Sequence, residues 1–255
     1  MIEVLRLALP GPDPRPRDRR HRTGGIRSAR VAIGTFDGVH LGHRQVLREC
    51  DTVLTFDPHP IHVLKPGNAP SLLSDGRLKL RKLAALGIRR AVIVPFDVAW
   101  SRVSADDFVE DVILDGLDAG FVSVGEGFRF GAHGAGTTST FGRYPTLRTR
   151  VVPTVTCGPA GEPISSTRIR RLVLEGRVEA AADLLGAPLS LPALVDEDGR
   201  LSVAAEFARP APGLYLGHVD CHRCILRVRE DLRVEVPGTP RTGTRVTVTF
   251  VEQAS

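Results

Sequence analysis

The 255-residue sequence is poor in cysteine and lysine and has no unbroken apolar run of membrane-spanning length. Cys50 and Cys157 lie far apart and read as free thiols, while Cys221-His222-Arg223-Cys224, with His218 nearby, is half a zinc site without a second pair. No metal-ligating residues are therefore assigned. A transmembrane helix needs about 18–20 apolar residues, which no segment supplies. Glu3 in MIEVLRLALPGP stands where a signal peptide carries positive charge, so a cytoplasmic protein with no membrane partner is expected. Lysine occurs only at 65, 79 and 82 among 34 basic residues, which face 29 acidic ones for a formal net charge of +5. Eight basic residues, His21 included, fall between Arg15 and Arg30, and without them the surplus disappears. That Pro- and Gly-rich segment has no apolar period and reads as a loop or mobile arm. It also lacks the interleaved aromatics of single-strand binders, so a solvated charge run and no nucleic-acid partner are predicted. Nothing in the sequence speaks to oligomeric state.

What is present is an ordinary soluble composition with 42% hydrophobic residues. The length suits one large domain or one medium and one small, burying about 70% of the unfolded surface. β-Branched runs at 31–36, 52–56, 91–96, 121–125 and 150–155 alternate with helical spacing at 78–87 and 104–117. This predicts an α/β fold with a Rossmann-like, mostly parallel sheet. Ser104 supplies an N-cap ahead of Asp106 and Asp107. Residues 165–186 read as two short helices divided near Gly176 and close a first domain at 191. From 192 to 255, short alternating segments between Gly, Pro and Asp predict a small all-β module of about five strands.

Two stretches carry chemistry. In Gly34-Thr35-Phe36-Asp37-Gly38-Val39-His40-Leu41-Gly42-His43, placed after a buried strand and opening a helix, the three glycines allow close backbone approach by a bulky anion. His40 and His43, three apart, are expected on one helix face, where imidazoles can donate to charge developing on phosphorus. An HxxH pair alone lacks the further ligands zinc needs. In Ile164-Ser165-Ser166-Thr167-Arg168-Ile169-Arg170-Arg171, three hydroxyl residues precede a helix whose first turns carry arginine. Two anion-binding helix ends at the carboxyl side of a parallel sheet suit a triphosphate.

These strings, with TFDPHP at 55–60, VGEGFRFG at 124–131 and the run 164–191, resemble the FMN adenylyltransferase module of prokaryotic FAD synthetases, members of the nucleotidylyltransferase superfamily with its HxGH and ISSTxxR signatures. The resemblance implies transfer of AMP from ATP, with Mg²⁺ on the phosphates, to FMN, giving FAD and pyrophosphate. It implies catalytic roles for His40, His43 and Arg170, and nucleotide binding by Gly34, Thr35, Phe36, Asp37, Gly38, Gly42, Ser165, Ser166, Thr167 and Arg168. It puts Asp57, Pro58 and His59, with Gly127, Phe128, Arg129 and Phe130, at the flavin.

The sequence departs from the family pattern in three places. Gly127 stands where the family usually has Asp or Asn, which removes a polar contact worth ~1–3 kcal/mol. The link from the HxGH helix to the next strand is short, so that helix is expected to end early. The PTAN signature of the riboflavin kinase barrel is missing, although Pro212-Gly213-Leu214-Tyr215 echoes a later barrel strand. The reading is an adenylyltransferase without riboflavin kinase activity, its β module a degenerate barrel. The alternatives are a nucleotidyltransferase with another acceptor or CTP as donor, and a non-catalytic flavin- or nucleotide-binding regulator.

Overall fold

The computed structural model describes residues 2–7, 29–238 and 241–254, so most of the predicted basic arm, up to residue 28, lies outside the described residues. Six parallel strands, β1 (Glu3–Arg6), β2 (Ala29–Ile33), β3 (Thr52–Phe56), β4 (Arg90–Val94), β5 (Ala119–Gly125) and β6 (Arg148–Val152), form a sheet in the order β1-β4-β3-β2-β5-β6. Five of them are the predicted runs with ends shifted by a few residues. β1 was not anticipated: its four residues are all exposed, and it pairs only with β4, at the sheet edge, so no burial alternation marks it. In the central strands Val31, Ile33, Leu54, Val92, Val94, Val122 and Val124 pack with Trp100, Phe108, Val112 and Ile113. Their neighbours Ala32, Val53 and Ala91 are also buried, which is why these strands read as continuous apolar runs.

Helices α1 (Leu41–Leu47), α2 (Pro60–Leu64), α3 (Gly76–Ala85) and α4 (Ala105–Asp107) follow these strands in the chain. α1 is short, as expected from its connection. Ser104 caps α4 by accepting from the Asp107 N–H at 3.0 Å. Beyond α4 the helix widens into a π-helix, Phe108–Gly116, in which Phe108, Val109, Val112 and Ile113 are buried. A 3.6-residue apolar pattern does not announce that change of pitch.

The described residues divide into two compact units, one of Met1–Thr35, Gln45–Ala69 and Ala84–Thr154, the other of Phe36–Arg44, Pro70–Leu83 and Val155–Ser255. The first holds the parallel sheet. In the second, a two-stranded ribbon of β7 (Thr156–Cys157) and β8 (Glu162–Pro163) precedes α5 (Ser166–Leu174) and α6 (Val178–Leu185), which are separated at Gly176 with φ +79°. Then β9 (Leu189–Val195), β10 (Leu201–Ser202), β11 (Gly213–Val219), β12 (His222–Val228), β13 (Val234–Glu235) and β14 (Arg245–Gln253) close into an antiparallel barrel in the order β10-β13-β12-β11-β14-β9. The sixth strand is β9, which opens at Leu189.

The barrel interior and the two helices share one core. Leu191, Tyr215, Leu226, Val248 and Phe250 from the barrel cluster with Ile169, Leu172 and Val173 of α5, with Val178, Ala181, Leu184 and Leu185 of α6, and with Leu73. A tight point is Gly217, where the β11–β14 register shifts and a Cβ would lie 2.1 Å from the Thr249 carbonyl oxygen.

Candidate active site

At the end of β2 the Gly34 N–H donates to the Leu54 carbonyl at 3.1 Å, and buried Thr55 Oγ1 donates to the Thr35 carbonyl at 3.1 Å. The chain then turns through left-handed backbone at Phe36 (φ 50°), Gly38 (φ 80°) and Val39 (φ 51°). For a β-branched residue such as Val39 this costs on the order of 1–3 kcal/mol, so the surroundings must enforce it. They do so through Asp37 and Gly38. The Asp37 carboxylate, 4% exposed, accepts the Leu73 N–H at 2.9 and 3.1 Å and Arg170 Nη2 at 2.8 Å. The Asp37 carbonyl accepts Ser166 Oγ at 3.1 Å, and the Gly38 N–H donates to Ser74 Oγ at 3.3 Å. Lys82 Nζ donates to the Gly38 carbonyl at 3.2 Å.

His40 does not share a helix face with His43. It sits ahead of α1 in extended backbone, and its Nδ1 accepts the His43 N–H at 3.2 Å, so it caps the helix. The two rings stack instead, 3.6 Å between centroids and 14° from parallel, with Phe36 edge-on to His43 at 5.3 Å. Gly42 permits the stack, since a Cβ there would approach the His40 ring to 3.1 Å. Burial, and next the nearby Arg170 charge, pull the His40 pKa down to about 4. His43 is held well below its ordinary value by burial first, then by its electrostatic coupling to His40 and by the Lys79 and Arg170 charges. Both imidazoles are thus neutral at neutral pH. The bond accepted at Nδ1 leaves the His40 proton on Nε2, a donor without a positive charge. Nδ1 of His43 is buried and has no partner among the described residues, a state that costs about 1–3 kcal/mol until something pairs with it.

The second motif lies in the same unit. Ser165 caps α5 by accepting the Arg168 N–H at 3.2 Å, and the Thr167 side chain is exposed. Arg168 is committed to the β7–β8 ribbon through Glu162 and Cys157 Sγ, the latter at 3.2 Å. Arg170 is likewise engaged, by Asp37 and by the Ser71 carbonyl. Sequence reasoning missed the 71–82 contribution: Ser71 and Leu73 act through their backbone, which leaves no side-chain signature. Ser74 and Lys82 act through side chains, but nothing local couples them to a turn more than 30 residues upstream.

The remaining candidates belong to the sheet unit. Gly34-Thr35, Asp57–His59 and Gly127–Phe130 follow the carboxyl ends of β2, β3 and β5. These strands are parallel neighbours, so the three segments emerge at one sheet edge, where the order reverses about β2. The Asp57–Pro58 peptide is cis, and His59 caps α2 by accepting the Ile61 N–H at 3.3 Å. Phe130 is a core residue, stacked on Phe141 at 4.8 Å, whereas Phe128 is half-buried and Arg129 exposed. Gly127 is exposed, and nothing lies within 4 Å of where its Cβ would be.

The sequence model of FAD synthetase matches residues 25–168, more than half of the chain, including the whole turn from Gly34 to His43. The chain belongs to the FAD synthetase family. It is 30% identical over 242 residues to the Escherichia coli K12 protein named bifunctional riboflavin kinase/FMN adenylyltransferase, covering 88% of this chain and 75% of that one. It is 32% identical over 207 residues to the protein of the same name from Listeria monocytogenes, covering 72% and 66%. A solved structure titled macrolide-efflux protein from Streptococcus pneumoniae superposes with a TM-score of 0.79 over 100% of this chain and 91% of that one. At 24% identity that likeness shows a shared fold. The Escherichia coli match, covering 88% of the chain, also takes in part of the barrel. Among the described residues no helix is long and apolar enough to cross a membrane.

Proposed function

We infer that the chain is an FMN adenylyltransferase, joining AMP from ATP to the FMN phosphate to give FAD and pyrophosphate. The observation that carries the mechanism is the stacked His40–His43 pair on a turn pinned by Asp37, Arg170, Ser74 and Lys82. An FMN phosphate oxygen attacks the α-phosphorus in line, the new P–O bond forms, and the bond to the β-phosphate bridging oxygen breaks as pyrophosphate leaves. The acceptor is already anionic, so no strong general base is required, and rate comes from positioning and charge stabilisation. His40 Nε2–H donates to the oxygens on which charge builds, and His43 gains a partner for its buried nitrogen.

We propose that Gly34 and Thr35 at the end of β2, with Phe36, Asp37, Gly38 and Gly42 on the turn, shape the nucleotide site by keeping its backbone clear. Ser165, Ser166 and Thr167 offer hydroxyls and N–H groups at the start of α5. Arg168 and Arg170 add positive charge from the positions their partners fix. Asp57, Pro58 and His59, with Gly127, Phe128, Arg129 and Phe130, are proposed for the flavin, Phe130 acting from the core. All proposed catalytic residues precede residue 191, and 192–255 contribute none. Mg²⁺ is proposed to arrive on the triphosphate, since it binds mainly through phosphate oxygens and water with few protein ligands. Riboflavin kinase activity is not proposed, nor is a nucleic-acid or membrane partner, and a cytoplasmic location fits the reading. Incubation with ATP and FMN tests it: FAD and pyrophosphate are expected, with at least a hundredfold loss of turnover in His40→Asn, which keeps a capping acceptor. Unaltered FAD formation by that variant contradicts the mechanism.

Gly127 favours a second reading, a different acceptor or CTP as donor, since a polar flavin contact of the family pattern is absent there. Product mass after incubation with each nucleotide and FMN or riboflavin separates the two.

A further inference from the structure

The barrel carries no proposed catalytic residue, yet it grips the nucleotide turn through one short segment. Residues 71–74 make successive bonds in alternate directions. The Leu72 N–H donates to the Glu206 carbonyl at 2.7 Å, and the Ala208 N–H donates to the Leu72 carbonyl at 2.9 Å, so Leu72 pairs as a parallel bridge with Phe207 between β10 and β11. On either side of Leu72 the bonds run to the motif residues. The Ser71 carbonyl accepts Arg170 Nε, the Leu73 N–H holds the Asp37 carboxylate, and Ser74 Oγ holds the Gly38 N–H. The Leu73 side chain is fully buried in the barrel core, and a Cβ on Gly38 would meet it at 3.1 Å. Phe207 and Ala208 are buried, so this seat is part of the barrel's packing.

We propose that residues 71–74 are a positioning relay through which the barrel, at Glu206–Ala208, holds the left-handed turn that presents His40. The barrel is thus part of the adenylyl-transfer machinery. A turn with Phe36 and Val39 at positive φ relaxes unless several bonds over-determine it. Leu73 and Ser74 supply such bonds at Asp37 and Gly38, and their own placement is set from Leu72 by the barrel. Misplacing His40 by ~1 Å is enough to cost on the order of a hundredfold in rate.

This proposal rests on the adenylyltransferase reading, and its test separates the two. In the full chain, Ala208→Pro removes the N–H bonded to Leu72, and Phe207→Ala empties the seat. Both are expected to lower kcat for FAD formation at least tenfold and to weaken equilibrium ATP binding at least fivefold. FMN affinity, read by flavin fluorescence, should stay within twofold of wild type. Folded variants with kcat and ATP binding within twofold of wild type overturn the relay, as does a parallel loss of FMN affinity, which signals general damage. Should neither barrel variant fold, Ser74→Ala is expected to lose at least fivefold in kcat and Ser74→Thr, which keeps the hydroxyl, to regain it; equal activity of the two overturns the relay. A wild-type chain that makes no FAD refutes the adenylyltransferase reading, and the ATP-binding comparison still decides the relay.

Discussion

At the scale of residues, the properties of His40 follow from where its ring sits. Its Nδ1 is tied to the His43 N–H and its ring lies flat on a second imidazole, so protonation would bring a charge into a buried stack beside Arg170. The unfolded chain takes up that proton near pH 6.5 and the folded chain only near 4. Stability contributed by neutral His40 is therefore complete above about pH 6.5 and is lost as pH falls towards 4, by on the order of 3 kcal/mol. Urea unfolding at several pH values is expected to show this decline, with a shallower slope in His40→Asn; identical slopes contradict the burial argument. Gly127 gives the opposite case, an exposed position with open space around it. Gly127→Asn is expected to change stability by less than ~0.5 kcal/mol and to lower KM for FMN by about tenfold. An unchanged KM removes residue 127 from the flavin site.

Elements explain why some of this was legible in the sequence. The parallel strands announced themselves because both faces are buried, and the α5–α6 break because Gly176 adopts φ +79°. β1 escaped notice as an exposed edge, and the π-helix because its apolar spacing resembles an ordinary helix. Of the site, the two motifs were visible, but the partners of the turn were not. The Asp37–Arg170 pair joins residues 133 apart in sequence, and the Leu73 N–H leaves no mark in an amino-acid string. Asp37 is buried and Arg170 only 12% exposed, so Arg170→Met should strand the Asp37 carboxylate and cost ~3–5 kcal/mol in urea unfolding. A loss below ~1 kcal/mol shows that the pair does not pin the turn. Gly217 is an equally local constraint: Gly217→Ala drives a Cβ into the Thr249 carbonyl and is expected to destabilise the barrel by ~1–3 kcal/mol or more.

At the scale of the whole molecule, the net charge of +5 gives little guide to function, because its surplus lies in the segment between Arg15 and Arg30. The charge that bears on chemistry is local: Arg170 and Lys79 lie beside neutral imidazoles, and Lys82 holds the Gly38 carbonyl of the turn. The barrel, expected as a small appended module, shares its core with α5 and α6 and so bears directly on the segment that carries the second motif. The central proposal is adenylyl transfer to FMN without riboflavin phosphorylation. The most direct measurement is mass identification of products after the purified chain meets ATP with FMN, and separately ATP with riboflavin. The account predicts FAD and pyrophosphate in the first mixture and neither FMN nor ADP in the second. No FAD in the first, or FMN in the second, would contradict it.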